Sequence, residues 1–168
     1  MSLKGVIYGC FPKLYKGKFF PNLAFTNMAN YKQNQVEPEL ILLPDFLSRG
    51  DFFIDIGCNR GSYLEAASLA VGEENVIGFE PNPDLFGILR AVFKKADLHR
   101  IALSDHKGEG VFKIPFTHGK ADDSLGALNI DKDMDAARCH QVLLDSLDSV
   151  LKNKELSKTG VVKIDVEG

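Results

Sequence analysis

The sequence predicts an α/β fold, a parallel sheet with helices on both faces, and three observations carry that expectation. Apolar runs alternate with amphipathic stretches in a β-α-β-α-β order. Two of the runs, FFIDI and NVIGF, are almost unbroken by polar residues, as strands buried on both sides are. The chain has 168 residues, 45% of them hydrophobic and 26% charged, a composition suited to one globular domain.

Residues 1–36 are expected to form an N-terminal flap or lid without a core of its own. They are weakly periodic and rich in aromatics (Phe11, Tyr15, Phe19, Phe20, Phe25, Tyr31). The domain proper is placed at 37–168. VEPELILLPDFLSRG reads as a helix with Pro38 in its first turn, a kink at Pro44 and a stop at Gly50. A strand is expected over 52–56. Ser62 and Glu65 form a Ser-x-x-Glu capping box for a helix over 62–71. A strand over 75–79 precedes a helix over 83–94, capped by Asn82, begun by Pro83, and apolar along Leu85, Ile88, Leu89 and Val92. LHRIALS (98–104) reads as a third strand, and 105–110 as a polar turn. VFKIP (111–115) is a short strand, half of a hairpin. A polar loop over 116–138 carries a short strand near SLGAL, and QVLLD (141–145) is a strand. A short helix carries Leu147, Val150 and Leu151, and VVKIDV (161–166) is a further buried strand. A strand with an acidic pair so close to the end of the sequence leads to the expectation that the domain is truncated at its C-terminus.

The chemistry concentrates around FFIDIGCNRGSY. Strand, glycine turn and helix follow in succession there, so a ligand can meet bare backbone beside a strand-end carboxylate. Gly57 and Gly61 permit unusual backbone angles and remove side chains. Asp55 either accepts hydrogen bonds from a ligand ammonium or orders the loop itself. Cys58 and Asn59 offer polar atoms at the rim. Glu80 closes the next strand, 25 residues after Asp55, where a carboxylate typically takes a ribose diol. The bland alternatives are a ligand-free tight turn and a surface carboxylate capping the helix at Pro83. The pair is read as a nucleoside-cofactor site, for S-adenosylmethionine in the first instance. Asp105 either brackets an adenine or starts an Asp-x-x-Gly turn. Asp165 and Glu167 fall on one side of a strand end, placed to orient an acceptor hydroxyl or take its proton, with Lys163 as a partner; otherwise they are a salt-bridged terminus.

Several classes are disfavoured. The G-x-G-x-x-G spacing of nicotinamide sites is missing, with Asn59 where its second glycine would stand, and no Gly-Lys-Ser/Thr occurs. The net charge of −3 with mixed signs argues against a nucleic-acid footprint. Cys10, Cys58 and Cys139 form no C-x-x-C pair, and His99, His106, His118 and His140 show no ligand spacing, so no metal site is expected and the histidines read as surface or loop residues. No apolar run approaches a membrane span, no signal pattern opens the chain, and a reducing cytoplasmic setting is expected.

FIDIGCNRGSYL, GFEPNPDLFGILR, IALSDHKGEGVF, LDSL and VKIDVEG, in this order, resemble the FkbM-type methyltransferases over about Glu37 to Gly168. The resemblance implies a Rossmann-like class I methyltransferase sheet and S-adenosylmethionine-dependent methylation of a hydroxyl on a small molecule or carbohydrate. It implies that Asp55, Gly57, Asn59 and Gly61 hold the methionyl part, that Glu80 holds the ribose, and that Asp105 and its neighbours flank the adenine. Asp165 to Glu167 would face the acceptor. Cys58 stands where the family more often has alanine, and the family's domain normally continues past KIDVEG. A non-catalytic cofactor-binding fragment or interaction module is therefore the competing reading, and a nucleotide-linked oxidoreductase the third. The oligomeric state is open.

Overall fold

The structure is a computed structural model that describes residues 3–19, 37–117, 120–121, 126–128, 138–156 and 158–166. Four parallel strands form its central sheet in the order β10-β1-β2-β3: Thr159–Ile164, Phe52–Ile56, Val76–Phe79 and Asp97–His99. Counted along the chain, the parallel strands stand 3-2-1-4. The order reverses beside β1, which creates a crevice at the carboxyl ends of β1 and its neighbours.

Strand alternation sends side chains from β1 and β2 to two different cores. Phe53 and Val76 face one side, where they are buried with Leu64, Ala67 and Val71 of helix α4 (Ser62–Val71) and Leu89 and Val92 of α5 (Pro83–Val92). Ile54, Ile56, Ile77 and Phe79 face the other, under Leu147, Val150 and Leu151 of the short helix α6 (Leu147–Leu151). Helices thus lie on both faces, as expected. Burying each large side chain of these layers contributes about 1.5–3 kcal/mol.

A second sheet has the order β4-β9-β5-β8 (Ile101–Leu103, Arg138–Asp145, Gly108–Ile114, Ala127–Leu128). β4 runs parallel to β9, whereas β5 is antiparallel to both β9 and β8. The single strand expected over 98–104 is therefore split at Arg100. Its first half pairs with β2 and its second with β9, because the two sheets need its backbone groups in different directions. β5 begins at Gly108, inside the expected polar turn, and β9 begins at Arg138, three residues before the expected strand. A small ribbon joins β6 (Phe116–Thr117) to β7 (Lys120–Ala121).

Packing accounts for the N-terminal segment and for several boundaries that differ from those expected. Residues 3–19 share the domain's core: α1 (Leu3–Cys10) and α2 (Pro12–Phe19) lie against α5, and Tyr15 is fully buried. The Tyr15 hydroxyl donates to the Arg60 carbonyl at 2.9 Å, and Lys16 pairs with Glu65 at 2.6 Å. The rest of the proposed flap, 20–36, lies outside the described residues. The helix expected over 36–50 is short, α3 (Pro38–Leu42), and Pro44 tightens the next turn into a 3-10 segment, Leu43–Phe46. Ser62 is the first helical residue of α4 and not its cap. Gly61 is the cap, in the left-handed region, and makes no side-chain capping bond. Asn82 does cap α5, accepting from the Asp84 N–H. β10 is not buried: Val162 and Ile164 are exposed, because among the described strands it pairs with β1 alone.

Candidate functional site

A cavity of about 120 Å³ opens where β1 and β2 end, roofed by the second sheet. Its floor is Ile56, Gly57, Asn59, Phe79, Glu80 and Pro81, and the roof brings Ile101, Ala102, Leu103, Phe112, Gly126 and Leu128. Asp165 and Val166, just beyond β10, close one end. The walls are mostly apolar. The ionisable side chains among the lining residues are two carboxylates, Glu80 and Asp165; the cation beside the second, Lys163, stands 3.7 Å from Asp165 and does not itself line the cavity.

Glu80 is the most constrained of these groups. Its Oε2 accepts from the Asn59 N–H at 2.7 Å and its Oε1 from the Asn82 N–H at 2.8 Å, so it ties the glycine loop to the start of α5. Asn59 has a positive φ of 48°, a conformation asparagine tolerates better than most residues. Burial pushes the Glu80 pKa up to about 7, against the opposing effect of the two N–H donors. Each carboxylate oxygen retains a second lone pair, so the group can still accept from two hydroxyls. The alternative of a surface carboxylate capping α5 is not what the structure has: Glu80 is buried, and the cap is Asn82, whose N–H it accepts from.

Asp55 does something else. It lies on the helix-facing side of β1 with Phe53, is fully buried, and does not line the cavity. Lys163 Nζ stands 3.1 Å from its Oδ1 while donating to the Gly57 carbonyl at 2.7 Å, and it lies 5.0 Å from the Tyr63 ring centroid. Burial raises the Asp55 pKa to about 6 even with that cation beside it. Among the described residues, the two Asp55 oxygens are buried without a hydrogen-bond partner, and the link to the loop runs through Lys163, which holds the Gly57 carbonyl.

The glycines are likewise explained by protein contacts. A Cβ on Gly57 would sit 2.1 Å from the Asp165 carbonyl oxygen, so the bare position lets the end of β10 cross the loop. A Cβ on Gly61 would meet Leu89 at 2.8 Å and Phe93 at 3.0 Å, so that position serves the α4–α5 contact. Cys58 is buried, not at the rim, and its thiol donates to the Asp55 carbonyl at 3.3 Å. Gly57 and Cys58 both give their N–H groups to the Phe79 carbonyl, which fixes the turn against β2.

Asp105 is not brought to the cavity. Its carboxylate is 94% exposed and bonds His106 and Ser104, the arrangement of a local turn. The cavity is met instead by Ile101, Ala102 and Leu103, a few residues earlier. Asp165 reaches the cavity wall with an exposed carboxylate 3.7 Å from Lys163. Glu167 lies outside the described residues, as does His118. His99 departs from the surface reading: it is half-buried, stacked on Phe79 with centroids 5.1 Å apart and paired with Asp97 at 3.2 Å. The cavity-lining residues that sequence reasoning missed are mainly apolar, with Phe79 and Phe112 the largest. Such positions carry no signal distinguishing a ligand wall from core.

A largely apolar, carboxylate-bearing cavity at the carboxyl ends of a parallel α/β sheet is the kind of place where such domains commonly take a small ligand. Residues 55–168 match the methyltransferase FkbM domain, and the chain belongs to that family. No curated protein and no solved structure gives a significant match. No helix among the described residues is long and apolar enough to cross a membrane.

Proposed function

We propose that the chain is an S-adenosylmethionine-dependent O-methyltransferase with the Rossmann-like class I arrangement, acting on a hydroxyl of a small molecule or sugar. The 3-2-1-4 strand order supports that arrangement. The observation that carries the reading is Glu80, a buried carboxylate in the wall of an apolar cavity at the end of β2. Its oxygens match a vicinal diol, and two carboxylates without a lining cation suit a cationic sulfonium better than a pyrophosphate. The residues therefore fit the cofactor. Glu80 would hold the ribose, Phe79 and the β4 and β5 side chains would enclose the adenine, and Gly57 and Asn59 would border the methionyl end.

When bound, the cofactor supplies an electrophilic methyl group on sulfur. What remains for this chain is to orient the acceptor and remove its proton. Asp165, at the end of the cavity that it and Val166 border, would take that proton, with Lys163 holding its carboxylate in place. Glu167 is retained as the second candidate base on its sequence position. Calorimetric titration with S-adenosylmethionine and with NAD tests the binding step, and S-adenosylmethionine alone should bind. Transfer of a labelled methyl group to a panel of sugars and small alcohols tests the reaction. No binding of S-adenosylmethionine would overturn the reading. Binding without transfer to any acceptor would favour the non-catalytic module.

A further inference from the structure

The first 36 residues hold five lysines and no acidic residue or arginine, a net of +5, while the rest of the chain carries −8, together giving the overall −3. On the two helices described from this stretch, Val6, Ile7, Phe11 and Leu14 are between 42% and 64% exposed. Phe11 donates its N–H to the Ile7 carbonyl and Leu14 donates its own to the Phe11 carbonyl, so Ile7, Phe11 and Leu14, with Val6 beside Ile7, make an exposed apolar stripe across the junction of α1 and α2. Tyr15 points the other way, into the core, and anchors the stripe to the domain. Lys13 and Lys18 are exposed beside it.

We propose that this N-terminal helix pair is a docking surface for an anionic lipid bilayer, on which the domain sits without crossing it. Exposed aliphatic and aromatic side chains beside lysines, with no acid among them, suit the boundary between acyl chains and negative headgroups. Lysine stems also lie along apolar surface while their ammonium groups reach headgroups or water. The acidic remainder of the chain is repelled by the same membrane, so the two opposite charges orient the protein with this end inward. The net charge of +5 over the first 36 residues favours an anionic lipid surface over an uncharged apolar protein groove, which carries no opposite charge to complement it. This inference does not rest on the methyl-transfer reading, since neither the stripe nor its lysines touch the cavity.

The test is sedimentation of the full chain with vesicles of phosphatidylcholine alone or with about a third phosphatidylserine, at low and high salt. The chain should co-sediment with the anionic vesicles, and added salt should weaken the binding. The K13E/K18E double variant should reduce partitioning by at least about tenfold. F11S/L14S, which alters only exposed side chains, should abolish it while leaving the thermal midpoint unchanged. Failure to bind anionic vesicles, or equal binding of wild type and both variants, would overturn the proposal. So would a concentration-dependent dimer dissolved by F11S/L14S, which would assign the stripe to a second copy of this chain.

Discussion

Glu80→Gln, studied across pH, isolates the group on which the proposed site depends. Burial holds the Glu80 pKa near 7, so the carboxylate is about nine-tenths ionised at pH 8 and about one-tenth ionised at pH 6. Only the ionised form offers both oxygens as acceptors to a diol. Affinity for S-adenosylmethionine should therefore fall about tenfold as pH drops from 8 to 6. At pH 8, replacing the carboxylate by an amide should cost roughly 1.5–3 kcal/mol of binding, or one to two orders of magnitude in Kd. The glutamine also leaves one of the Asn59 and Asn82 N–H groups facing an NH2, so the variant's fold must first be checked by circular dichroism. Calorimetric titrations at pH 6, 7 and 8 give the result. Ionisation of the ligand's own amino group contributes to both proteins, and the variant, which lacks the carboxylate, measures that contribution alone. Parallel pH profiles for wild type and variant would refute a binding role for Glu80, because the carboxylate would then not be sensing the ligand.

Three further outcomes test the frame around that residue. Gly57→Ala should cost at least about 2 kcal/mol in urea denaturation, since the residue has φ +82° and its Cβ would strike the Asp165 carbonyl; an unchanged midpoint would mean β10 does not cross the loop as described. Lys163→Met should cost about 3 kcal/mol at pH 8, where it leaves Asp55 charged in the core, and clearly less at pH 5, where Asp55 takes up a proton; equal losses at both values would show that the ion pair is not the cause. The unliganded wild type should have a higher Tm at pH 5 than at pH 8. Asp55 and Glu80 both have raised pKa values in the fold, so their contribution is present below the unfolded carboxylate values near 4 and lost as pH climbs through about 6 and 7; a Tm that rises over this range, by calorimetry, would contradict that.

Much of the fold was legible because its local signals are strong. FFIDI, NVIGF and the Asn82–Pro83 cap specify β1, β2 and α5 with few alternatives. What escaped was pairing. Nothing within LHRIALS says that Leu98 and His99 join β2 while Ile101–Leu103 join β9, because the choice is made by strands far away in sequence. The same limit misplaced VVKIDV as a buried strand: its residues suit burial, but burial depends on a neighbour, and the strand pairs only β1 among those described. Tyr15 was hidden for the opposite reason. One aromatic in a weakly periodic segment gives no hint that its ring fills the core or that its hydroxyl holds the Arg60 carbonyl.

The two carboxylates show how far sequence spacing reaches into a site. Asp55 and Glu80 end adjacent strands, and from the sequence they look like one pair holding one ligand. The structure separates them because a strand has two faces. Phe53 and Asp55 project toward α4, whereas Ile56 and Phe79 project toward the cavity, and a run as apolar as FFIDI does not reveal which face lines that cavity. Glu80, beyond the last paired residue of β2, escapes that alternation and turns into the cavity wall. Asp55 instead draws Lys163 from β10 to the Gly57 carbonyl, and the end of β10 carries Asp165 across the bare glycine to the cavity. The buried carboxylate is thus connected to the candidate base through one lysine and one backbone crossing. It shapes the site from beneath, and its loss would displace Asp165 before it altered any ligand contact of its own.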